Sequence, residues 1–247
     1  MINILYIYMV NKVAFLIPTT SRNTKFKKLE DTYLYKYLIP TLMRTLSNDH
    51  QYTIYYAIDD DDKLYHKLQT KRKLLNIKLI KPINKVKIIS TKGIEKGNVV
   101  GMWNRLFKIA YNDKNDYFVQ SGDDIIYYDK NWLEICIKSL SINHNLGVAS
   151  PVDIKNPYLM TQSVVHRRHY EIFEYYYPHE LTSWFCDNWI TDLYKRYFAY
   201  IIQQRLENRG GKPRYTPPEW DLTKKLCKEL VDRDKIKLRD YMNKEIS

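Results

Sequence analysis

The stretch Tyr117-Phe118-Val119-Gln120-Ser121-Gly122-Asp123-Asp124 decides the fold of this chain. Tyr117–Gln120 reads as a short buried strand, and Ser121-Gly122 breaks it into a polar end. The two adjacent carboxylates past that end repel each other unless a cation neutralises them. Hard oxygen ligands of this kind suit Mg2+ or Mn2+, which would hold a substrate pyrophosphate in turn. A cation there would stabilise a diphosphate leaving group as its negative charge develops. The same residues also fit a solvated Asp-Asp turn.

Working outward, two more strands end in the same way. Val13–Ile17 is a continuous apolar run that stops at Pro18-Thr19-Thr20-Ser21-Arg22, and Tyr52–Ile58 stops at Asp59-Asp60-Asp61-Asp62. Lys85–Ser90 is a further strand and Gly147–Ser150 a short one. Between them lie helical stretches: Lys28–Leu46, broken or kinked at Pro40; the basic Leu64–Leu75; Trp132–Leu140; and Asn98–Tyr111, whose Val99, Met102, Trp103, Leu106, Phe107 and Ala110 share one face. Strand–helix alternation of this kind predicts an α/β fold with a mostly parallel central sheet flanked by helices. Past Pro151 the pattern turns irregular and aromatic. Asn188–Leu206 reads as one long helix, Asn208–Pro218 as a loop containing Gly210-Gly211, and Leu222–Met242 as a charged helix.

The chain has 247 residues, of which 45% are apolar and 23 are tyrosine, enough to bury one substantial core and too apolar for a disordered protein. Lys and Arg number 40 against 28 acidic residues, a formal +12 that favours polyanions: a nucleotide pyrophosphate, nucleic acid or an anionic membrane surface. Cys136, Cys186 and Cys227 are sparse and widely spaced, which argues against a disulfide framework or a zinc knuckle and points to a reducing compartment. The apolar opening Met1–Val10 is too short to span a bilayer and lacks a cleavage site. Together these features give the expectation of a soluble cytoplasmic protein, virion-associated and membrane-peripheral settings included. The Lys-, Ile- and Asn-rich bias would suit a large DNA virus or an AT-rich microbe.

In an open α/β sheet, ligands bind where the carboxyl ends of the strands and the helix N-termini converge. If the strands are parallel, Pro18–Arg22, Asp59–Asp62 and Ser121–Asp124 face one crevice. A carboxylate at the second strand end could accept hydrogen bonds from a ribose hydroxyl or a base N–H, with Asp59 and Asp61 favoured. Asp62 equally fits a cap on the helix that follows. Thr19, Thr20 and Ser21 offer hydroxyls and backbone N–H groups, and Arg22 a fork-shaped cation for phosphate or base, although a plain N-cap loop would contain the same residues. Gly210–Tyr215 places two glycines beside Lys212 and Arg214, which fits either a mobile loop closing over a diphosphate or ordinary surface.

The order of these motifs (strand–PTTSR, strand–DDDD, the Trp103-Asn104 helix, strand–SGDD) resembles the nucleotide-sugar half of the GT-A-type glycosyltransferases, and the likeness runs over about residues 12–200. The resemblance implies a single GT-A-like domain: a Rossmann-like nucleotide-sugar half over about 12–125, an irregular acceptor half over about 126–205, and a loop and C-terminal helix over 206–247. It implies a metal-dependent glycosyltransferase that moves a sugar from a UDP-sugar, or less readily a GDP-sugar, to a hydroxyl acceptor. The DxD metal motif of that superfamily matches Gly122-Asp123-Asp124, with Gly where an acid often stands. Asp124 becomes the direct ligand of Mn2+ or Mg2+, and Asp123 a contact to metal or ribose. Pro18, Thr19, Thr20, Arg22, Asp59, Asp61 and Asn104 fall on the nucleotide-sugar side. Val164–His169 and Phe185–Ile190 resemble acceptor-side segments. Asp187, before Asn-Trp-Ile, matches the acidic position that serves as catalytic base in an inverting enzyme, and would equally serve as a plain N-cap. His166 could close the metal site, and Trp184 and Trp189 could stack on an acceptor sugar or fill core.

Two rivals share some of these features. Ser-Gly-Asp-Asp is also the metal motif of viral polymerase palms, where it sits in a β-hairpin that Ile125–Tyr128 could complete; a nucleotidyltransferase would leave PTTSR and DDDD without a role. A basic, Tyr-rich nucleic-acid-binding module fits the charge, but the carboxylates clustered at Asp59–Asp62 and Asp123-Asp124 in one crevice would repel a phosphate backbone, so no nucleic-acid partner is expected.

Overall fold

The computed structural model describes residues 10–195, 198–211 and 213–246; of the apolar opening stretch only Val10 is included, and Lys212 lies outside the described residues. One eight-stranded sheet organises the chain. Its strands are β1 (Lys12–Thr19), β2 (Gln51–Ile58), β3 (Ile83–Ser90), β4 (Tyr117–Gln120), β5 (Ile125–Tyr127), β6 (Val148–Asp153), β7 (Val164–His166) and β8 (Ala199–Asn208), in the spatial order β3-β2-β1-β4-β7-β6-β8-β5. β3, β2, β1 and β4 run parallel, as do β6 and β8; β7 and β5 are antiparallel to their neighbours.

Both faces of the sheet are covered, which is why β1 and β2 read as unbroken apolar runs rather than alternating ones. Val13, Phe15 and Ile17 of β1 point to one side with Tyr52, Ile54 and Tyr56 of β2. There they meet Leu42 of α1 (Ile39–Thr45) and Trp132, Leu133 and Cys136 of α4 (Trp132–Ser141). Ala14, Leu16, Tyr55 and Ala57 point the other way. They pack against α3 (Val99–Asn112), α5 (Arg168–Phe173), α6 (Cys186–Tyr194) and one side of the long α7 (Trp220–Ile246). The remaining helix, α2 (Leu68–Asn76), adds Leu74 to the first core.

Most expected elements are present with shifted ends. The 28–46 stretch is a 3-10 turn at Leu29–Asp31, a π-helical segment at Leu34–Leu38, and then α1, with Pro40 in its first turn. Proline has no N–H to donate back along the helix, so the change of winding falls at Pro40. α2 begins at Leu68 rather than Leu64, because Asp62 Oδ1 holds the backbone N–H groups of Leu64 and Tyr65 at 2.9 and 2.8 Å in a preceding turn.

One expectation is overturned. The long helix over 188–206 is instead α6, ending at Tyr194, followed by strand β8 from Ala199. The Ile-Ile-Gln-Gln-Arg-Leu run fits either state locally. β6 pairs with it in parallel and β5 pairs antiparallel on its other side, and this ladder outweighs the helical period. The same pairing removes the polymerase-type hairpin: β5 pairs with β8 at the far edge of the sheet and not with β4.

Candidate functional site

The register between strands builds the site. In the parallel pairing, Thr19 lies beside Ile58 and Leu16 beside Gln120, so the residues after all three strands emerge side by side. The contacts follow directly. Thr19 Oγ1 donates to Asp123 Oδ2 at 2.5 Å and lies 2.9 Å from the Tyr65 hydroxyl. Asp62 accepts from Ser21 N (2.5 Å), Ser21 Oγ (3.0 Å) and Thr20 Oγ1 (3.1 Å), tying the PTTSR loop to the aspartate run.

These tips open into a cavity of about 650 Å³ that brings together Pro18, Thr19, Thr20, Asp59, Asp123, Asp124 and Asp187. Asp187 reaches it from the first turn of α6. Asp61 and Arg22 do not line the cavity; they pair with each other at its edge at 2.6 Å, and Asp61 also takes Lys96 at 2.6 Å. The two cations hold the Asp61 carboxyl down to about 2, with Lys96 the larger influence. Asn104 is buried in a structural role. Its Oδ1 accepts from the backbone N–H groups of Tyr176 and Tyr177, and its Nδ2 donates to the Tyr177 carbonyl, fixing the aromatic segment before α6.

His166 is not brought to this cavity. β7 runs antiparallel to β4 with His166 opposite Tyr117, so it sits at the end of the sheet away from Asp123 and Asp124. Its ring packs on Tyr117 at 5.0 Å, and burial takes its pKa down to about 4. Trp189 is fully buried core, whereas Trp184 is exposed at the cavity wall.

The electrostatics of the acidic pair depend on a residue from the 209–219 loop. Arg214 donates from Nη1 and Nη2 to the two oxygens of Asp123, and its Nη2 lies 3.7 Å from Asp124. Burial alone would lower the Arg214 pKa, but the charges of Asp123 and Asp124 and the Asp123 hydrogen bonds raise it above its ordinary value. Asp124 is less well compensated: burial, and then the charge of Asp123, push its pKa up to about 6. Burial also raises Asp187, with the Asn188 N–H at 3.0 Å working against it. The next residue of the loop, Tyr215, donates its hydroxyl to Asp59.

Glycines make room around Asp124. A Cβ on Gly122 would stand 2.8 Å from Asp124 Oδ1, and one on Gly210 would stand 1.9 Å from Oδ2. The glycine before the aspartates is therefore where the Asp124 side chain folds back, and Gly210 lets the loop pass over it. Gln162 Oε1 accepts from Gly122 N at 2.7 Å and steadies that corner. Several cavity residues carry no sequence signal of their own. Gln162, Asp153 and Trp220 reach the cavity from chain positions that only the fold brings near, and Arg214 was legible only as a cation beside glycines.

No family model and no curated protein matches the sequence. Solved structures do resemble the fold. Staphylococcus aureus TarS, residues 1–349 in complex with UDP-GlcNAc, aligns with a TM-score of 0.62 at 13% identity over 91% of this chain and 66% of that one. The same protein in complex with UDP aligns at 0.54 and 13% over 79% of this chain and 60% of that one. A longer TarS structure aligns at 0.54 and 14% over 80% of this chain and 36% of that one. The chain thus spans less than two thirds of the TarS chains it resembles, and at such identities the likeness is one of architecture. The chain accordingly has a GT-A-like α/β fold, a mostly parallel sheet flanked by helices, shared with the first part of TarS.

Proposed function

We propose that this chain is a glycosyltransferase that takes a sugar from a UDP-sugar, with a divalent cation on the diphosphate, and passes it to an acceptor hydroxyl. The observation that carries the reading is the meeting, in one cavity of this fold, of Asp59, Asp123 and Asp124 at the carboxyl ends of parallel strands with Asp187 from the first turn of α6. The TarS structures of the same architecture hold UDP-GlcNAc and UDP, which supports a nucleotide-sugar donor here.

The residues divide by position. Pro18, Thr19, Thr20 and Asp59 form the strand ends that would hold the nucleoside, with Asp59 available to a ribose or base donor once Tyr215 gives way. Arg22 and Asp61 stand at the rim beside Tyr215, the Arg22 guanidinium 5.6 Å from its ring centroid.

A divalent cation fits Asp124. This carboxylate is mostly buried, its pKa is raised to about 6, and its nearest guanidinium nitrogen is 3.7 Å away against 2.5 Å for Asp123. One or two carboxylates completed by substrate phosphates and water are a usual set for Mg2+ or Mn2+. Bound there, Mn2+ or Mg2+ would neutralise charge developing on the leaving diphosphate. Asp123, held by Thr19 and Arg214, would contact the metal or the ribose.

Asp187 faces the same cavity from the acceptor side, and its raised pKa suits a group that takes a proton from an acceptor hydroxyl in an inverting displacement. The test is a calorimetric and thermal-shift series with UDP, UDP-sugars and GDP-sugars, each with and without Mn2+. A metal-dependent shift specific to uridine nucleotides is expected, since a ligand that binds only the native state stabilises it by mass action. No shift with any nucleotide would end the proposal.

A further inference from the structure

The five tryptophans divide sharply. Trp103, Trp132 and Trp189 are 8%, 1% and 0% exposed, while Trp184 and Trp220 are 41% and 54% exposed. Both exposed indoles line the cavity that contains Asp187. Their rings stand 5.8 Å apart at 66°, and Phe185 supports Trp220 from 4.6 Å.

The backbone between Trp184 and Asp187 is unusual. Phe185 has φ +69°, the left-handed region that a bulky aromatic side chain enters only under strain. Its ring is nonetheless buried against Trp220 and the second core, which holds the turn in place. Trp184 and Asp187 then reach the cavity from either side of this turn, and Trp220 joins them from the start of α7.

We infer that Trp184 and Trp220 form a stacking platform for the pyranose ring of a neutral saccharide acceptor, seated with a hydroxyl toward Asp187. This rests on the glycosyltransferase reading above and names its acceptor class. An indole offers a flat apolar face with an N–H at its edge. A pyranose matches it with an apolar C–H face and a rim of hydroxyls. Ser183, Asn156 and Asn188 line the same cavity and supply donors and acceptors for such a rim. A carboxylate group at Asp187 beside the acceptor hydroxyl suits a neutral rather than an anionic acceptor. Trp184 and Trp220 stand apart from the strand tips Pro18–Thr20 and Asp123-Asp124 in sequence and fold, which leaves those tips to the nucleotide.

The experiment is saturation-transfer NMR on the full chain with saturating UDP and Mn2+. The probes are lactose, cellobiose, maltose and N,N′-diacetylchitobiose, with sorbitol as a hydroxyl-bearing molecule that lacks a ring. At least one disaccharide should receive saturation and sorbitol should not. Trp184→Ala and Trp220→Ala should each weaken that disaccharide by about tenfold or more, and Trp220→Phe by no more than about threefold. UDP affinity should stay unchanged in all three variants. If the wild-type chain binds UDP but none of the disaccharides, or if the alanine variants bind them as well as wild type, the platform is wrong and the transferase reading stands. Loss of UDP binding along with saccharide binding in the alanine variants would make the indoles structural and overturn the platform too. A wild-type chain that binds no UDP removes both.

Discussion

Arg214 and Asp123 form a two-pronged ion pair in the floor of the cavity, with N–O distances of 2.8 and 2.5 Å. The guanidinium therefore occupies the position where an acidic pair most needs a cation, and Asp124 shares it at longer range.

Removing that cation should destabilise the ligand-free protein. Arg214→Ala leaves Asp123 and Asp124 buried beside each other without a counter-charge, and breaking a buried pair from one side costs about 3–5 kcal/mol. Thermal unfolding at neutral pH should show a clear drop in Tm, and Mn2+ with UDP should restore more stability to the variant than to the wild-type chain. Equal Tm values would show that the pair contributes nothing.

Asp124 gives the site a pH dependence. Its folded pKa, raised to about 6, lies above the ordinary value of about 4, so the folded chain binds the extra proton between those values. Stability from this group is therefore fully present below about pH 4, declines as pH rises to about 6 and is level above, a total of about 3 kcal/mol. Cation binding needs the ionised form, so Mn2+-dependent UDP affinity should fall as pH drops below about 6. Asp124→Asn should lose both dependences while keeping its fold, as pH-resolved unfolding and calorimetry would reveal.

Gly210→Ala tests the passage of the loop over the acidic pair. The new Cβ would meet Asp124 Oδ2 at 1.9 Å, so either the Asp124 carboxylate or the loop that carries Arg214 and Tyr215 must shift. Proteolysis within 209–219 should quicken, the UDP Kd should change, and Tm should fall toward that of Arg214→Ala as the pairing of Arg214 with the acidic residues loosens. Unaltered proteolysis and UDP binding would mean that the loop accommodates the methyl group elsewhere.

Asp187→Asn should separate donor from acceptor chemistry. UDP binding should stay near wild type, and kcat for transfer should fall by about 10²–10⁴-fold, the usual contribution of a general base. Retained transfer would remove Asp187 from that role.

His166→Ala should leave nucleotide and Mn2+ binding unaltered, since β7 carries the ring to the other end of the sheet. A loss of Mn2+ affinity in this variant would contradict that placement.

How much of this was legible beforehand follows from which interactions are local. The strand tips at Pro18–Thr20, Asp59 and Ser121–Asp124 could be read directly, because a strand buried on both faces must be continuously apolar and must stop where polar residues begin. Their convergence needed one further premise, parallel pairing, which the strand–helix alternation supplied. The helical phase of 98–111 likewise lay in the spacing of its apolar side chains, and Asn98 caps it by accepting from Gly101 N at 2.7 Å.

Tertiary structure alone decided the rest. Ala199–Asn208 became a strand because β6 and β5 flank an open slot, a long-range ladder that no local preference encodes. His166 moved out of the site because strand direction, invisible in a three-residue run, sets which end of the sheet a side chain reaches. Arg214 reaches Asp123 across 91 residues, and Trp220 joins Trp184 from the far end of a loop. Short-range periodicity reports which side chains are buried, whereas the pairing of charges and rings distant in the chain is settled only when the whole sheet and its covering helices close around them.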